Sequence, residues 1–269
     1  MAEIVGAFCV PHAACITAQT ERAQPAQAAR VFAAFEQVRR EVELRRADTV
    51  LVVAGGPDAP GGREPELEIA AGSLEGPGEP SLRIERRPVA GNAPLAAHLV
   101  RAGQARGFAF ATAGAWVLDH SIVIPVHLAA PYGARVVPIR VRRNAGRRCR
   151  EIGALLRDLV AQWSEPARVV VFGTGSPSDQ GGAAGGAGAS AIDARVLALV
   201  ENGDVAGLSA LSDDGTAREG GAGGFGLCAW MVAMGAMPGC RGRVVAYEAV
   251  EAWGTGLAFV ELTIGEERS

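Results

Sequence analysis

Short runs of branched apolar residues alternate along this chain with longer segments of helical periodicity. One such run covers residues 3–10, and a second covers residues 49–54 and leads into the turn-forming residues 55–58. Between the two runs, residues 21–46 carry apolar side chains at the spacing of an amphipathic helix. A strand, a helix and a strand in this order predict a parallel βαβ unit, so the expected fold class is α/β.

The same alternation continues to the end of the chain. Further strands are predicted at residues 82–86, 108–112, 134–141, 167–172, 243–251 and 257–264. Further helices are predicted at residues 93–106, 147–163, 191–201, 205–211 and 226–237. Because no linker or internal repeat interrupts the pattern, we predict a single domain over residues 1–269. Its central sheet is expected to be mostly parallel and flanked by helices, with the last two strands antiparallel neighbours.

Two segments do not follow this alternation of strands and helices. Residues 121–130 are undecided between helix and strand, because Pro125 interrupts an apolar run. Residues 55–81 are rich in Gly and Pro and are expected to form a long loop, which in a compact domain is usually functional or mobile.

The composition limits the kinds of molecule that the protein is expected to bind. Hydrophobic residues make up 49% of the 269 residues, enough for a sizeable core, and the net charge of -3 argues against nucleic-acid binding. No apolar run approaches the roughly 18 residues that would suggest a membrane span. The five cysteines form no Cys-x-x-Cys pair, and the N-terminus lacks the pattern of a signal peptide. We therefore expect a cytoplasmic protein with no membrane or nucleic-acid partner.

A glycine-rich stretch follows the predicted strand at residues 167–172 and resembles a phosphate-binding loop only superficially. The Gly-x-Gly-x-x-Gly pattern that begins at Gly173 fails at Ser178, and the chain contains no lysine that could reach a phosphate. The stretch is therefore interpreted as part of a functional or mobile loop, not as a nucleotide site.

Two of the four histidines stand where α/β enzymes often place reactive groups. His12 closes the first apolar run, and His120 follows Asp119 in the segment Leu-Asp-His-Ser. An imidazole in such a position can bind a metal or transfer a proton, and the neighbouring carboxylate can orient it. The alternative is that both are core histidines with satisfied hydrogen bonds. His98 and His127, which lie inside apolar segments, are interpreted as structural.

Several motifs, in this order and spacing, resemble the class III extradiol ring-cleavage dioxygenases, the superfamily of the protocatechuate 4,5-dioxygenase catalytic subunit. They are Val-Pro-His12 after the first strand, Leu-Asp-His120-Ser, Val-Phe-Gly-Thr-Gly at residues 171–175, and Trp230 ahead of Met-Gly-Ala-Met at residues 234–237. The resemblance implies that family's fold over nearly the whole chain. It also implies Fe(II) held by two histidines and one carboxylate, with a further histidine as acid/base.

Carried over residue by residue, the resemblance assigns His12 to the first iron ligand and His120 to the wall of the substrate pocket. Where the second histidine ligand is expected, the chain has Pro57 and Asp58. Gly226 stands where the carboxylate ligand is expected.

The acid/base histidine also has no match. The nearest counterpart is Asp179, and an aspartate with an ordinary pKa of about 3.9 is a weaker base than an imidazole with a pKa of about 6.5. Asp119, Ser178 and Gly226 are expected to line the pocket.

Three hypotheses follow. In the first, the chain is a ligand-depleted, non-catalytic subunit without a cofactor that pairs with an active homologue or assembles with itself. In the second, it is an enzyme for a phenolic or related small molecule, with a site rebuilt around His12, Asp58, His120 and Asp179. His120 and Asp179 would be catalytic. Either His12 and Asp58 would bind Fe(II) or another divalent metal, or the site would work without a metal by acid/base chemistry. In the third, the pocket only binds a small aromatic molecule.

Overall fold

The computed structural model describes residues 1–56, 65–76, 80–84, 88–142, 145–177, 187–213 and 224–264. The strands within these ranges are β1 (Ala2–Val10), β2 (Thr49–Gly55), β3 (Leu67–Ala70), β4 (Leu74–Glu75), β5 (Phe110–Ala113), β6 (Trp116–Val117), β7 (Arg135–Val141), β8 (Ala167–Thr174), β9 (Cys240–Val250) and β10 (Thr255–Ile264). The α-helices are α1 (Cys15–Ala18), α2 (Pro25–Leu44), α3 (Ala93–Ala105), α4 (His120–Ala129), α5 (Gly146–Ala161), α6 (Ala187–Glu201), α7 (Val205–Asp213) and α8 (Gly224–Ala236). Short 3-10 turns cover Thr20–Arg22 and Glu251–Trp253.

Eight of these strands form one sheet in the order β5-β3-β7-β2-β8-β1-β10-β9. The four central strands β7, β2, β8 and β1 are mutually parallel. Antiparallel pairing occurs where β3 meets β7 and where β10 joins β1 to β9, as predicted for the last two strands. The expected α/β class, with a mostly parallel sheet flanked by helices, is therefore confirmed.

The sheet is buried on both faces, which explains why its central strands read as continuous apolar runs. Successive residues of a strand point to opposite faces. Leu51 belongs to the core on the face covered by α3, α5 and α8, whereas Val52 belongs to the core on the face covered by α2 and α4. The carboxyl ends of the parallel central strands therefore meet at one edge of the sheet.

Residues 120–129 form helix α4 in spite of Pro125. Asp119 caps the helix by accepting a hydrogen bond from the amide of Ser121. Ile122, Val123 and Ile124 are completely buried against the sheet. Burying three such side chains contributes roughly 1.5–3 kcal/mol each, which outweighs the cost of about 3 kcal/mol for proline inside a helix. Burial therefore decides the conformation that the sequence pattern left open.

The predicted loop at residues 55–81 was partly wrong, because it contains β3 and β4. Strand β3 has only four residues and obtains its hydrogen bonds from β5 and β7, which are distant in sequence. The two-residue strands β4 and β6 pair in the same way. The predicted strand at residues 82–86 was also wrong over its described part, since residues 82–84 have no regular structure.

Cys149 and Cys228 form a disulfide that joins α5 to α8 across 79 residues of sequence. The cysteine spacing contained no signal for this pairing. Cys9, Cys15 and Cys240 are free thiols.

Within the described part of the chain, no helix has both the length and the apolar character needed to cross a bilayer.

Candidate functional site

His12 and His120 meet at the carboxyl edge of the sheet. His12 lies two residues after the end of β1, and His120 is the first residue of α4. Their ring centroids are 5.6 Å apart and the rings are tilted by 68°, in an edge-to-face arrangement. Both side chains are half-buried. The two imidazoles that sequence reasoning singled out thus share one site, where the ends of parallel strands place functional groups in α/β proteins.

The imidazole of His12 contacts the last residue of β8. Its Nδ1 atom lies 3.0 Å from the hydroxyl oxygen of Thr174, the last residue of β8, which is fully buried. Burial, and then the nearby His120, lower the pKa of His12 from 6.5 to about 4, although Asp119 acts in the opposite direction. His12 is therefore a neutral imidazole at pH 7, and the Thr174 contact fixes how its ring is oriented.

Asp119 uses both carboxylate oxygens inside the protein. Oδ1 accepts hydrogen bonds from the amide and the hydroxyl of Ser121, and Oδ2 accepts one from Nη2 of Arg140 at 2.7 Å. Burial raises the pKa of Asp119, but the hydrogen bonds from Ser121 and Arg140 and the nearby positive charges outweigh it, so the pKa lies below its ordinary value. Asp119 is therefore an anion whose two oxygens already accept three hydrogen bonds within the protein.

Arg140 contacts both Asp119 and Trp116. The Arg140 guanidinium carbon lies 4.5 Å from the centroid of the Trp116 ring, which is buried in β6. This stacking and the ion pair with Asp119 hold the guanidinium between β6 and the start of α4. Sequence reasoning missed Trp116, Arg140 and Thr174. The only available signal was Arg140 itself, a charge near the end of an otherwise apolar segment.

Gly226, in the first turn of α8, packs its backbone directly on the end of β8. A Cβ atom added to Gly226 would lie 2.8 Å from the carbonyl oxygen of Ser176. A Cβ atom added to Gly175, whose φ is +139°, would lie 2.6 Å from the Cα atom of Gly226. Real Cβ atoms do not approach backbone atoms this closely, so a side chain at position 226 requires the helix or the strand end to move.

The remaining predicted site residues Asp58, Asp179 and Ser178, together with Pro57, lie outside the described residues. The other two histidines make hydrogen bonds within the fold: Nε2 of His98 lies 2.9 Å from the carbonyl oxygen of Leu159, and Nδ1 of His127 donates to the carbonyl oxygen of Val123 at 3.0 Å.

A metal ion would need more donors than these residues bring together. Among the described residues, no three His, Cys, Asp or Glu side chains are grouped so that they could hold a metal. His12 and His120 supply two nitrogens, whereas the Asp119 oxygens accept hydrogen bonds from Ser121 and Arg140.

Comparison with known proteins agrees with the fold. A family model described as the catalytic LigB subunit of aromatic ring-opening dioxygenase matches residues 6–258. The crystal structure of the uncharacterized protein JW3007 from Escherichia coli K12 superposes with a TM-score of 0.56 over 84% of this chain and 92% of that chain, at 15% identity. No curated protein matches the chain. The family match covers nearly the whole sequence, and the chain therefore belongs to the family of the catalytic LigB subunit of aromatic ring-opening dioxygenases.

Proposed function

We propose that this protein is a non-catalytic subunit of an aromatic ring-opening dioxygenase, which keeps the family fold and pairs with an active homologue. The observation that carries the proposal is the backbone contact of Gly226 with Ser176. The resemblance assigns the carboxylate ligand of iron to position 226, and at that position the packing leaves no room even for a methyl group.

The iron that the family implies does not fit the described residues. Two imidazoles without a carboxylate are a weak site for Fe(II), because affinity and selectivity depend on the number and geometry of the ligands. Asp119 is a poor substitute, since binding a metal would cost it the hydrogen bonds from Ser121 and Arg140. No step of a ring-opening reaction is therefore assigned to this chain.

The site residues have a structural role in this proposal. The Asp119–Arg140 pair joins the start of α4 to the end of β7, and the His12–Thr174 contact joins the loop after β1 to the end of β8. These contacts connect four segments around the edge of the sheet through protein side chains alone. Such contacts are what a subunit needs that keeps the fold for assembly with a homologue or with a second copy.

A second candidate is an enzyme with a rebuilt site. It is favoured by the 5.6 Å approach of the His12 and His120 rings, with His12 in the neutral form that metals bind. Asp58 and Asp179 would supply the carboxylates, and the substrate would be a phenol or a related small molecule.

Metal content and turnover of the purified protein separate the two candidates. The protein would be incubated with Fe(II), Mn(II) or Zn(II) without oxygen, desalted, and analysed for bound metal. Oxygen uptake would then be followed with catechol, protocatechuate and 2-aminophenol. We expect less than one tenth of an equivalent of metal and no substrate-dependent oxygen uptake. One equivalent of metal, with turnover that H12A abolishes, would refute the non-catalytic proposal and establish the second candidate.

The assembly half of the proposal needs its own measurement. The protein would be mixed with a family member that carries the complete His-His-Glu set, and the mixture would be examined by native mass spectrometry. A defined hetero-oligomer is expected, and two unmixed species with every such homologue tested would contradict the pairing.

A further inference from the structure

A second cavity lies away from the histidine pair, on the face of the sheet that α2 and α4 cover. Its volume is about 430 Å³, and its walls include Phe32 and Arg39 of α2 and Leu128 of α4. Arg83, Ile84 and Tyr132 form further parts of the wall. This volume falls in the range of about 300–1,000 Å³ that is usual for small-molecule sites.

The cavity is distinct from the pocket of the family. His127, which also lines it, follows His120 by seven residues along α4. Two turns of helix correspond to roughly 10 Å along the axis. Helix α4 begins at the carboxyl edge of the sheet, where His120 meets His12, and runs away from that edge. A ligand in the cavity would therefore lie beside the last two turns of α4 and not against the histidine pair.

Arg39 gives the cavity a fixed positive charge. Its Nη2 atom donates hydrogen bonds of 2.9 Å to the carbonyl oxygens of His127 and Leu128 at the end of α4. Its guanidinium carbon lies 4.7 Å from the ring centroid of Tyr132, and Nη1 donates to the Tyr132 hydroxyl at 3.2 Å. Nη1 also lies 3.2 Å from the carboxylate of Glu36 on the half-exposed surface of α2, so the charge is paired and both Nη atoms are engaged. The Nε–H group of Arg39 is buried without a hydrogen-bond partner among the described residues, and it is the donor left for an anion in the cavity.

A second cation points to the same kind of ligand. Arg83 lines the cavity with a side chain that is 69% exposed, and its ion pair with Glu21 joins two exposed groups, so it is easily exchanged for another anion. Thr17 and Thr20 also line it, but their hydroxyls donate to the carbonyl oxygens of Ala14 and Ile16. No carboxylate is found among the described residues of the wall. Glu36 and Glu21 pair with the two guanidinium groups from outside the wall, so among the described residues the charged side chains of the wall itself are both positive.

The rest of the wall is apolar. Phe32, Ile84 and Leu128 offer an aromatic ring and two branched side chains on which a hydrocarbon body can pack. A purely inorganic anion would make no apolar contacts with this surface, and an uncharged hydrocarbon would form no ion pair with the two arginines.

We propose that this cavity binds a small organic acid, with its carboxylate near Arg39 and Arg83 and its apolar body against Phe32, Ile84 and Leu128. The cavity thus gives the protein a ligand site that is independent of the histidine pair and of any metal.

The test compares 3-phenylpropionate with its neutral amide by isothermal titration calorimetry on the full-length protein. The acid is expected to bind with a Kd below about 1 mM, and the amide at least tenfold more weakly. R83A should weaken binding of the acid at least fivefold. Y132F is a second lining variant that keeps the aromatic ring over Arg39, and it is expected to weaken binding at least twofold. Because Arg83 and Tyr132 are exposed, neither change removes a side chain from the core.

Two controls locate the site. R101A removes an exposed arginine from α3, on the opposite face of the sheet, and H120A alters the histidine pair; both should bind the acid like the unmodified protein. Equal affinity for acid and amide, unchanged binding in both R83A and Y132F, loss of binding in H120A, or no binding up to 10 mM would each overturn the proposal. None of these outcomes depends on whether the protein binds a metal or a homologous subunit.

Discussion

Arg140 donates a hydrogen bond of 2.7 Å to the carboxylate of Asp119, which links the carboxyl end of β7 to the N-terminus of α4. The same carboxylate caps α4 through Ser121, so one side chain both closes the helix and fixes it to the sheet. The aspartate of the motif Leu-Asp-His thus has a structural role that requires no catalysis.

The first prediction concerns this carboxylate. Asp119→Ala removes the cap and the ion pair together and should lower the free energy of unfolding by about 2–4 kcal/mol, of which the cap contributes about 1–2 kcal/mol. Asp119→Asn keeps an acceptor for Ser121 and should lose less. Urea denaturation of the two variants measures the difference. Equal destabilisation by both would mean that the cap contributes little.

The second prediction concerns the pH dependence that His12 creates. Its pKa is about 4 in the folded protein and about 6.5 in the unfolded chain, so between these pH values only the unfolded chain binds the proton. The contribution of His12 to stability is therefore complete above pH 6.5 and is lost as the pH falls towards 4, with a slope of at most about 1.4 kcal/mol per pH unit.

Denaturation of the unmodified protein and of His12→Asn at several pH values isolates this effect. The difference between their free energies of unfolding should shrink as the pH falls from 6.5 to 4. A difference that stays constant over this window would show that His12 titrates at its ordinary pKa in the folded protein.

Whether a strand or helix of this protein could be predicted from the sequence depends on which residues supply its hydrogen bonds. Strands β1, β2 and β8 read directly as apolar runs, because they are buried on both faces. Strand β3 did not, since its hydrogen bonds come from β5 and β7 and its four residues carry no clear pattern.

The residues of the candidate site likewise divide into those that the sequence predicted and those that it did not. His12 and His120 were identified because each follows an apolar run and neighbours a turn or a proline, where a polar side chain is conspicuous. Thr174 and Trp116 were missed, because they become site residues only when β8 and β6 are placed beside β1 and α4. The Cys149–Cys228 pair was missed for the same reason, since 79 residues separate two cysteines that only the packing of α5 on α8 brings together.

The third prediction concerns Gly226, where the backbone packing leaves no room for a side chain. Gly226→Ala places a methyl group 2.8 Å from the carbonyl oxygen of Ser176 and should cost about 1–3 kcal/mol, although alanine normally stabilises a helix relative to glycine by about 1 kcal/mol. Gly114→Ala is the control, because an added Cβ there meets nothing within 4 Å.

Gly226→Glu restores the residue type that the family resemblance expects at this position. We expect it to be less stable than Gly226→Ala and to bind no more iron than the unmodified protein, because the backbone contact remains in the way. Full stability together with stoichiometric iron would mean that the first turn of α8 moves freely, and it would remove the main support for a non-catalytic subunit.

The last prediction concerns the disulfide. Closing a loop of this length stabilises the folded state by up to about 4.5 kcal/mol on chain-entropy grounds. Cys149→Ser and reduction of the unmodified protein should therefore each lower Tm by several degrees, and the two effects should not add. Cys15→Ser, which removes a half-buried free thiol, is the control.

Titration of the denatured, unreduced protein should find three thiols among its five cysteines. Disulfides are rare in a reducing cytosol, so protein isolated under thiol-trapping conditions shows whether the bond exists in the cell. Five reactive thiols in that sample, with no change in Tm on adding reductant, would mean that α5 and α8 are held together by packing alone.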